Sequence, residues 1–244
     1  MSGTSLDRSG VVLLSGGLDS VANLYLALKK DYRIHLALTF DYGQRAVRRE
    51  VAVARYHCNQ LKIPHRVIKL PWLKEVTRTS LVNRRSQIPK GSLVKIENRS
   101  HSLKTAQQVW VPNRNGLFLN IAATFADAFR WSFILVGFNR EEAATFSDNS
   151  ERFCLTSNRF FYDSTWNHVK VKSLTLSLMK EEIVKKINGL FPLETLWPCY
   201  FSGSKWCGQC ESCLRFARAV KRCEYLWEEL SAKNAVFIRK FRNL

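Results

Sequence analysis

No stretch of the 244-residue chain approaches the roughly 20 consecutive apolar residues that a membrane-spanning helix requires. The opening residues, Met1 to Gly10, lack the charged-then-apolar layout of a secretion leader. A cytoplasmic protein with no membrane association is therefore expected. There is no internal repeat and no low-complexity linker, so a repeat array is excluded. Acidic residues are scarce: 20 Asp and Glu stand against 38 Lys and Arg, for a net charge of +18. That excess fits a nucleic-acid partner, an acidic protein partner or simply a charged surface. The cations are spread along the chain rather than gathered in one block. The five histidines form no catalytic set. His57 and His65 stand among apolar neighbours and read as packing or surface residues. In the expected compartment, seven cysteines read as thiols rather than a disulfide framework. Of these, the scattered Cys58, Cys154 and Cys223 read as small buried apolar residues.

What is present points to an α/β protein. Hydrophobic residues make up 46% of the chain, enough for one large domain, alone or with a small appendage. Short apolar runs at 11–14, 34–40, 65–70 and 132–138 read as buried strands, with a further strand at 169–175. Amphipathic stretches at 20–30, 45–61 and 115–131 read as helices, the second with Val47, Val51, Ala54, Cys58 and Leu61 on one face. The segment 153–166 is ambiguous and leans helical. A helix at 179–188 is capped by Gly189, and another runs over 212–230. Strands alternating with helices predict a doubly wound, mainly parallel sheet. The segment 72–112 breaks the pattern. It is basic, weakly periodic and poor in apolar residues, and reads as an irregular loop or lid. Its cations include Arg78, Arg84, Arg85, Lys90, Lys95, Arg99 and Lys104. No aromatic residue interleaves them before Trp110, which favours a lid over a nucleic-acid surface. The expected division is an α/β domain over 1–190 and a small helical metal module over 191–244, ending in a basic amphipathic tail at 237–244.

Two motifs carry chemistry. Leu14-Ser-Gly-Gly-Leu-Asp-Ser20 lies between the first strand and the first helix. It lacks the lysine of a Walker loop. Its glycines let backbone amides approach an anion, the helix adds its positive end, and the hydroxyls of Ser15 and Ser20 can donate to phosphate. Near the other end, Cys199, Cys207, Cys210 and Cys213 follow a C-x7-C-x2-C-x2-C spacing that can surround one tetrahedral ion. Zinc on four thiolates is the expected occupant, and four thiolates leave no open position, so its role is structural.

The glycine loop resembles the PP-loop of the N-type ATP pyrophosphatases, which cleave ATP between the α and β phosphates. Three further stretches narrow the resemblance. Phe40-Asp-Tyr-Gly-Gln-Arg45, with Glu50 beyond, is similar to a motif of the 7-cyano-7-deazaguanine synthase (QueC) family. Val111-Pro-Asn-Arg-Asn115, followed by Leu117-Phe-Leu119, resembles that family's Val-Pro-Gly-Arg-Asn helix start. The cysteine cluster, with Arg215 close behind, resembles its zinc site. Two departures stand out: Asn113 replaces a glycine, and 137–150 keeps only Asp148, after an aromatic, from the Gly-Tyr-Pro-Asp-Cys-Arg stretch of bacterial members.

The resemblance implies an adenine nucleotide alpha hydrolase-like fold. It implies an ATP-dependent ligase that converts 7-carboxy-7-deazaguanine and ammonia to the nitrile through an adenylated carboxylate and an amide. Catalytic roles then fall on Asp19 and Arg114, and nucleotide binding on Leu14, Ser15, Gly16, Gly17, Leu18, Asp19, Ser20 and Phe40. Substrate contacts fall on Asp41, Tyr42, Gln44, Arg45, Arg114, Asn115 and Asp148. Magnesium would bridge the phosphates near Asp19 or Asp41, and a homodimer is expected. Two rivals stay open on the residues alone: a PP-loop enzyme adenylating a tRNA base or protein-borne group, and a non-catalytic nucleic-acid-binding zinc protein.

Overall fold

The computed structural model describes residues 8–223 and Glu228. Strands β1 (Ser9–Leu13), β2 (Arg33–Asp41), β3 (His65–Lys69), β4 (Phe133–Leu135) and β5 (Lys170–Lys172) form one sheet in the order β3-β2-β1-β4-β5. Every pairing is parallel; Val12 stands beside both Ala37 and Leu135, and Ala37 beside His65. Burial on both faces explains the near-continuous apolar strands: Val11, Val12, Ala37, Leu38, Phe133, Ile134 and Leu135 are almost fully buried.

Helices α1 (Leu18–Lys29) and α2 (Val47–Leu61) make the crossovers from β1 to β2 and from β2 to β3. The long connection from β3 to β4 holds α3 (Leu73–Val76), α4 (Arg99–Val109) and α5 (Arg114–Ala128). Between β4 and β5 lie α6 (Arg140–Ala143) and α7 (Glu151–Ser164), and α8 (Lys180–Lys186) and α9 (Glu211–Lys221) follow. Right-handed crossovers that run left from β1 and later right from it place helices on opposite faces. The strand order therefore reverses at β1, and a crevice opens beyond the carboxyl ends of β1 and β4.

The segment 72–112 is more ordered than its sequence suggests. It contains the eleven-residue α4 and a 3-10 turn at Gly91–Leu93. Leu81, Val82, Ile88, Val94, Val109 and Val111 are buried in the common core, while Arg78, Arg84, Arg85, Lys90, Lys95 and Lys104 are exposed. Single apolar residues scattered among cations escape a periodicity test, yet these six are buried, while Val76, Leu93 and Leu103 stay exposed. The guanidinium of Arg45 fastens the segment by donating to the carbonyls of Ser80, Asn83 and Ser86.

The cysteine-bearing segment shares this core. Phe191, Leu193, Trp197, Cys199, Cys210, Cys213 and Phe216 belong to the same buried cluster as the sheet. Packing is continuous across the boundary expected at 190/191. The expected helix over 212–230 is seen as α9; its remainder and the basic tail at 237–244 lie outside the described residues, Glu228 apart. Arg215 welds α9 to the domain. Its guanidinium donates to Glu141 at 2.7 Å and to Glu211 at 2.8 Å, and Arg218 reaches Glu141 as well. Cys58, Cys154 and Cys223 are buried, as small apolar residues are. Among the described residues no helix is long and apolar enough to cross a membrane.

Replacing Arg215, which is 8% exposed, with Ala should leave Glu141 and Glu211 buried without their shared cation. The expected cost is about 3–5 kcal/mol, read as a lower urea midpoint. A midpoint equal to that of the parent chain would contradict the weld.

Candidate active site

The crevice at the strand reversal holds two adjoining cavities of about 260 and 230 Å³. Concave sites at such a reversal are where small-molecule ligands bind in open α/β sheets. The first is walled by the strand ends: Leu13, Leu14 and Ser15 after β1, Leu38, Thr39 and Phe40 on β2, and Val136, Gly137 and Phe138 after β4. Phe118 of α5 stacks on Phe40 at 3.9 Å between centroids and completes an apolar side. The second cavity runs toward the cysteines. It is lined by Trp110, Phe146, Glu142, Asp148, Lys180, Trp197, Pro198, Cys199, Tyr200 and Phe216, among others. Ser15, Gly17, Asp19, Glu50, Arg114, Gly137 and Asn149 line both, and so mark the junction.

The glycine loop is held from within. Ser20 Oγ accepts from the amide of Ser15 and donates to the carbonyl of Gly17. This hydroxyl braces the turn, while the exposed Ser15 is open to a ligand. Gly16 adopts φ +79°, and a Cβ there would stand 2.8 Å from Val53. The missing side chain therefore faces α2 rather than the cavity. Around Gly17 only Ser15 Oγ would be near, at 3.6 Å, so its open side is the approach for an anion.

Gly137 is needed for a different reason. A Cβ on it would lie 2.6 Å from the amide nitrogen of Ser20 and 2.7 Å from the carbonyl carbon of Asp19. The end of β4 presses directly on the first turn of α1.

Lys180 is a site residue that sequence reading missed, as is its partner Glu142. Only 5% exposed, it binds Asp19 at 2.8 Å and Glu142 at 2.9 Å. Burial works against its charge, but the two carboxylates outweigh burial and hold it protonated. Burial likewise opposes the Glu142 carboxylate, and Lys180 with Arg215 still brings its pKa below the usual value. Asp19 Oδ1 is buried and has no hydrogen-bond partner. The signal in the sequence was a lysine opening α8, where the helix dipole disfavours a cation.

Arg114 donates to Tyr42 Oη at 3.2 Å. Burial disfavours its charge, yet Tyr42, Asp148 and Glu50 keep the guanidinium cationic. Asn113, which precedes it, has φ +48° and makes no side-chain cap. The left-handed conformation explains why asparagine replaces glycine there, since Asn tolerates it best among residues with a side chain. The amide of Asn115 donates to the carbonyl of Asp148, and burial pushes the Asp148 carboxyl up.

Of the residues singled out in the sequence, Leu14, Ser15, Gly17, Asp19, Ser20, Phe40, Tyr42, Gln44, Arg114 and Asn115 line the first cavity. Leu18, Asp148 and Cys199 line the second. Gly16, Asp41 and Arg45 line neither. Asp41 Oδ1 accepts from the amide of Gly43, and Arg45 points into the 80–86 loop. Histidines line neither cavity. His57 is fully buried between Tyr25 and Thr195, and burial lowers it to about 4.

Cys199, Cys207, Cys210 and Cys213 place their sulfurs within 4.8 Å of one another. A tetrahedral ion with bonds of roughly 2.3 Å needs sulfurs about 3.8 Å apart, so the four could hold one metal. Backbone amides of Cys207 and Cys210 already donate to Cys199 Sγ and Cys207 Sγ, which suits thiolates. The turn is tied to the nucleotide loop: the amide of Trp197 donates to the carbonyl of Gly16 at 2.9 Å.

A family model described as "Queuosine biosynthesis protein QueC" matches residues 9–224. The chain belongs to that family. It is 52% identical to the 7-cyano-7-deazaguanine synthase of Bdellovibrio bacteriovorus over 87% of this chain and 93% of the relative. The synthases of Pelotomaculum thermopropionicum and Methanosarcina barkeri are each 48% identical over 86% of this chain, covering 96% and 93% of their own lengths. QueC membership makes the chain an enzyme of queuosine biosynthesis, and the crevice at the strand reversal is its candidate active site.

Gly137→Ala should force the first turn of α1 away from the strand ends, because the clashing atoms are backbone. Overpacking of this kind costs about 1–3 kcal/mol. Urea unfolding should show the loss, and an unchanged midpoint would mean the contact is not rigid.

Proposed function

We propose that this chain joins ammonia to 7-carboxy-7-deazaguanine at the expense of ATP, giving 7-cyano-7-deazaguanine. The observation that carries the reading is the pair of cavities meeting at the glycine loop. One has apolar walls at the strand ends and suits the nucleoside of ATP. The other, with Trp110, Phe146 and Asp148, suits a flat heterocycle with hydrogen-bond donors on its edge. The relatives' name, 7-cyano-7-deazaguanine synthase, supports the same substrate class.

A carboxylate resists ammonia because its oxygen is a poor leaving group. Attack of that oxygen on the α-phosphate of ATP expels pyrophosphate and makes the oxygen part of AMP. Ammonia then displaces AMP to give the amide. A second adenylation, on the amide oxygen, allows loss of AMP and formation of the nitrile. No side-chain nucleophile is required. Gly17 and the first turn of α1 offer amides to the phosphates. Arg114, at the junction, would face the charge that moves between carboxylate and phosphate. Lys180 holds the Asp19 carboxylate in place.

Magnesium fits this site. Asp19 Oδ1 is a buried oxygen without a partner, and Lys180 with Asp19 and Glu142 sums to one negative charge. Asp19 would hold the ion, which when bound neutralises phosphate charge; Asp41, outside both cavity walls, is the poorer candidate. Zinc fits the four cysteine sulfurs and would fix the turn that carries Trp197. The cytoplasmic location and the homodimer suggested by the family resemblance belong to the same reading. Nucleic acid is not favoured as a substrate, since the exposed cations of 72–112 line neither cavity.

Incubation with ATP, ammonium and 7-carboxy-7-deazaguanine should yield AMP, pyrophosphate and the nitrile by mass spectrometry. ADP and phosphate, or a requirement for tRNA, would overturn the reading. Freshly purified protein should contain one zinc per chain, and Cys210→Ser should lower its stability because metal binding supplies folding energy. A zinc-free protein, or a mutant as stable as the parent, would contradict the metal assignment.

A further inference from the structure

Two carboxylates stand at the junction of the cavities. Asp19 is committed, through Oδ2, to Lys180. Glu50 has no ion-pair partner among the described residues. Its Oε2 accepts from Gln44 Nε2 at 2.7 Å, and no hydrogen bond to its Oε1 is seen among the described residues. Gln44 is itself fixed, accepting from the amide of Tyr42 at 3.0 Å and donating to the carbonyl of Phe40 at 2.8 Å. The Glu50 carboxylate is thus aimed by its neighbours and left open on one side, where both cavities meet. Its place in the first turn of α2 would suit a carboxylate that merely answers the helix dipole. Such a role needs no orienting glutamine and no exposure to a cavity.

The reaction needs a base at that place. In neutral water ammonia is held almost wholly as ammonium, which has no lone pair with which to attack a carbonyl. We propose that Glu50 binds the ammonium ion at the junction and accepts its proton, delivering ammonia beside the activated carbonyl carbon. The N–H bond breaks, its electron pair stays on nitrogen, and the proton goes to Glu50 Oε1. That pair forms the C–N bond, the bond between carbon and the AMP oxygen breaks, and AMP leaves with its electrons. The second proton on nitrogen leaves to the departing phosphate. Gln44 is then a positioning residue.

The environment suits the task. Burial raises the Glu50 carboxyl to about 7, against the opposing pull of Gln44 and Arg114 and with a smaller push from Asp41. A base is most effective when its pKa lies near the working pH. The other groups facing this point are Tyr42, which is held neutral by burial, and Asp19, which is paired.

This role rests on the proposed ligase activity, so the two are measured separately. Exchange of pyrophosphate into ATP, driven by 7-carboxy-7-deazaguanine without any amine, reports adenylation alone. Glu50→Gln keeps an oxygen for Gln44 and should change exchange no more than a few-fold. With ammonium at neutral pH its kcat/KM should fall by about 10²–10⁴-fold. The deficit should shrink as pH rises and free ammonia accumulates. Hydroxylamine, a weaker base that is largely unprotonated at neutral pH, should serve mutant and parent at comparable rates. Loss of exchange in step with amide formation, or equal loss with hydroxylamine and ammonium, would overturn the role; so would an unchanged rate with ammonium. Absence of exchange in the parent chain would instead remove the ligase reading, and this role with it.

Discussion

The reversal of strand order at β1 is the constraint on which the rest of the molecule depends. Because β1 pairs in parallel with β2 on one side and β4 on the other, the connections leave in opposite directions and part above the strand ends. The glycine loop sits in that gap. So do the ends of β2 and β4, which bring Phe40 and Gly137 to it. Gly137 shows how tightly the arrangement is set, since even a methyl group would meet the backbone of α1. The apolar strands, the loop and the first cavity are thus consequences of one topology.

Around this frame the site is assembled from distant parts of the chain. Lys180 arrives from α8 to meet both Asp19 and Glu142 of α6, and Arg114 from α5 to meet Tyr42. The cysteine turn contributes by position. Trp197 hydrogen-bonds Gly16, Arg49 of α2 donates to the carbonyl of Gly203, and Gly91 bonds the carbonyl of Gln209. A metal on the four sulfurs would stiffen a wall of the second cavity as well as its own turn. Electrostatically the site is a run of opposing charges. Lys180 and Arg114 are held cationic by nearby acids, while Glu50 has no ion-pair partner among the described residues.

Much of this was legible in the sequence. Short β-branched runs and amphipathic helices gave the parallel sheet, because strands buried on both faces cannot alternate. The glycine loop and the cysteine spacing were readable because each is local: neighbours in sequence supply the whole motif. Lys180 and Glu142 were not, because an ion pair between residues far apart leaves no local pattern. Helix α4 was hidden by its cations, and the buried residues of 72–112 by their isolation. Gln44 was expected to touch substrate and Arg45 likewise. Arg45 lines neither cavity and donates to the carbonyls of the 80–86 loop, whereas Gln44 lines the first cavity and also hydrogen-bonds Glu50, since a donor beside a turn is readily taken up by nearby carbonyls and carboxylates. Asn113 looked like a departure until its left-handed backbone showed why glycine and asparagine interchange there.

The central claim is that the two cavities bring the acceptor carboxylate to the α-phosphate of ATP. It is tested most directly by labelling that carboxylate with heavy oxygen and following the label through a single turnover to the amide. The account expects one labelled oxygen per turnover in the phosphate of AMP and none in pyrophosphate. Label in inorganic phosphate or pyrophosphate, or AMP without label, would show that the carboxylate is not activated by adenylation.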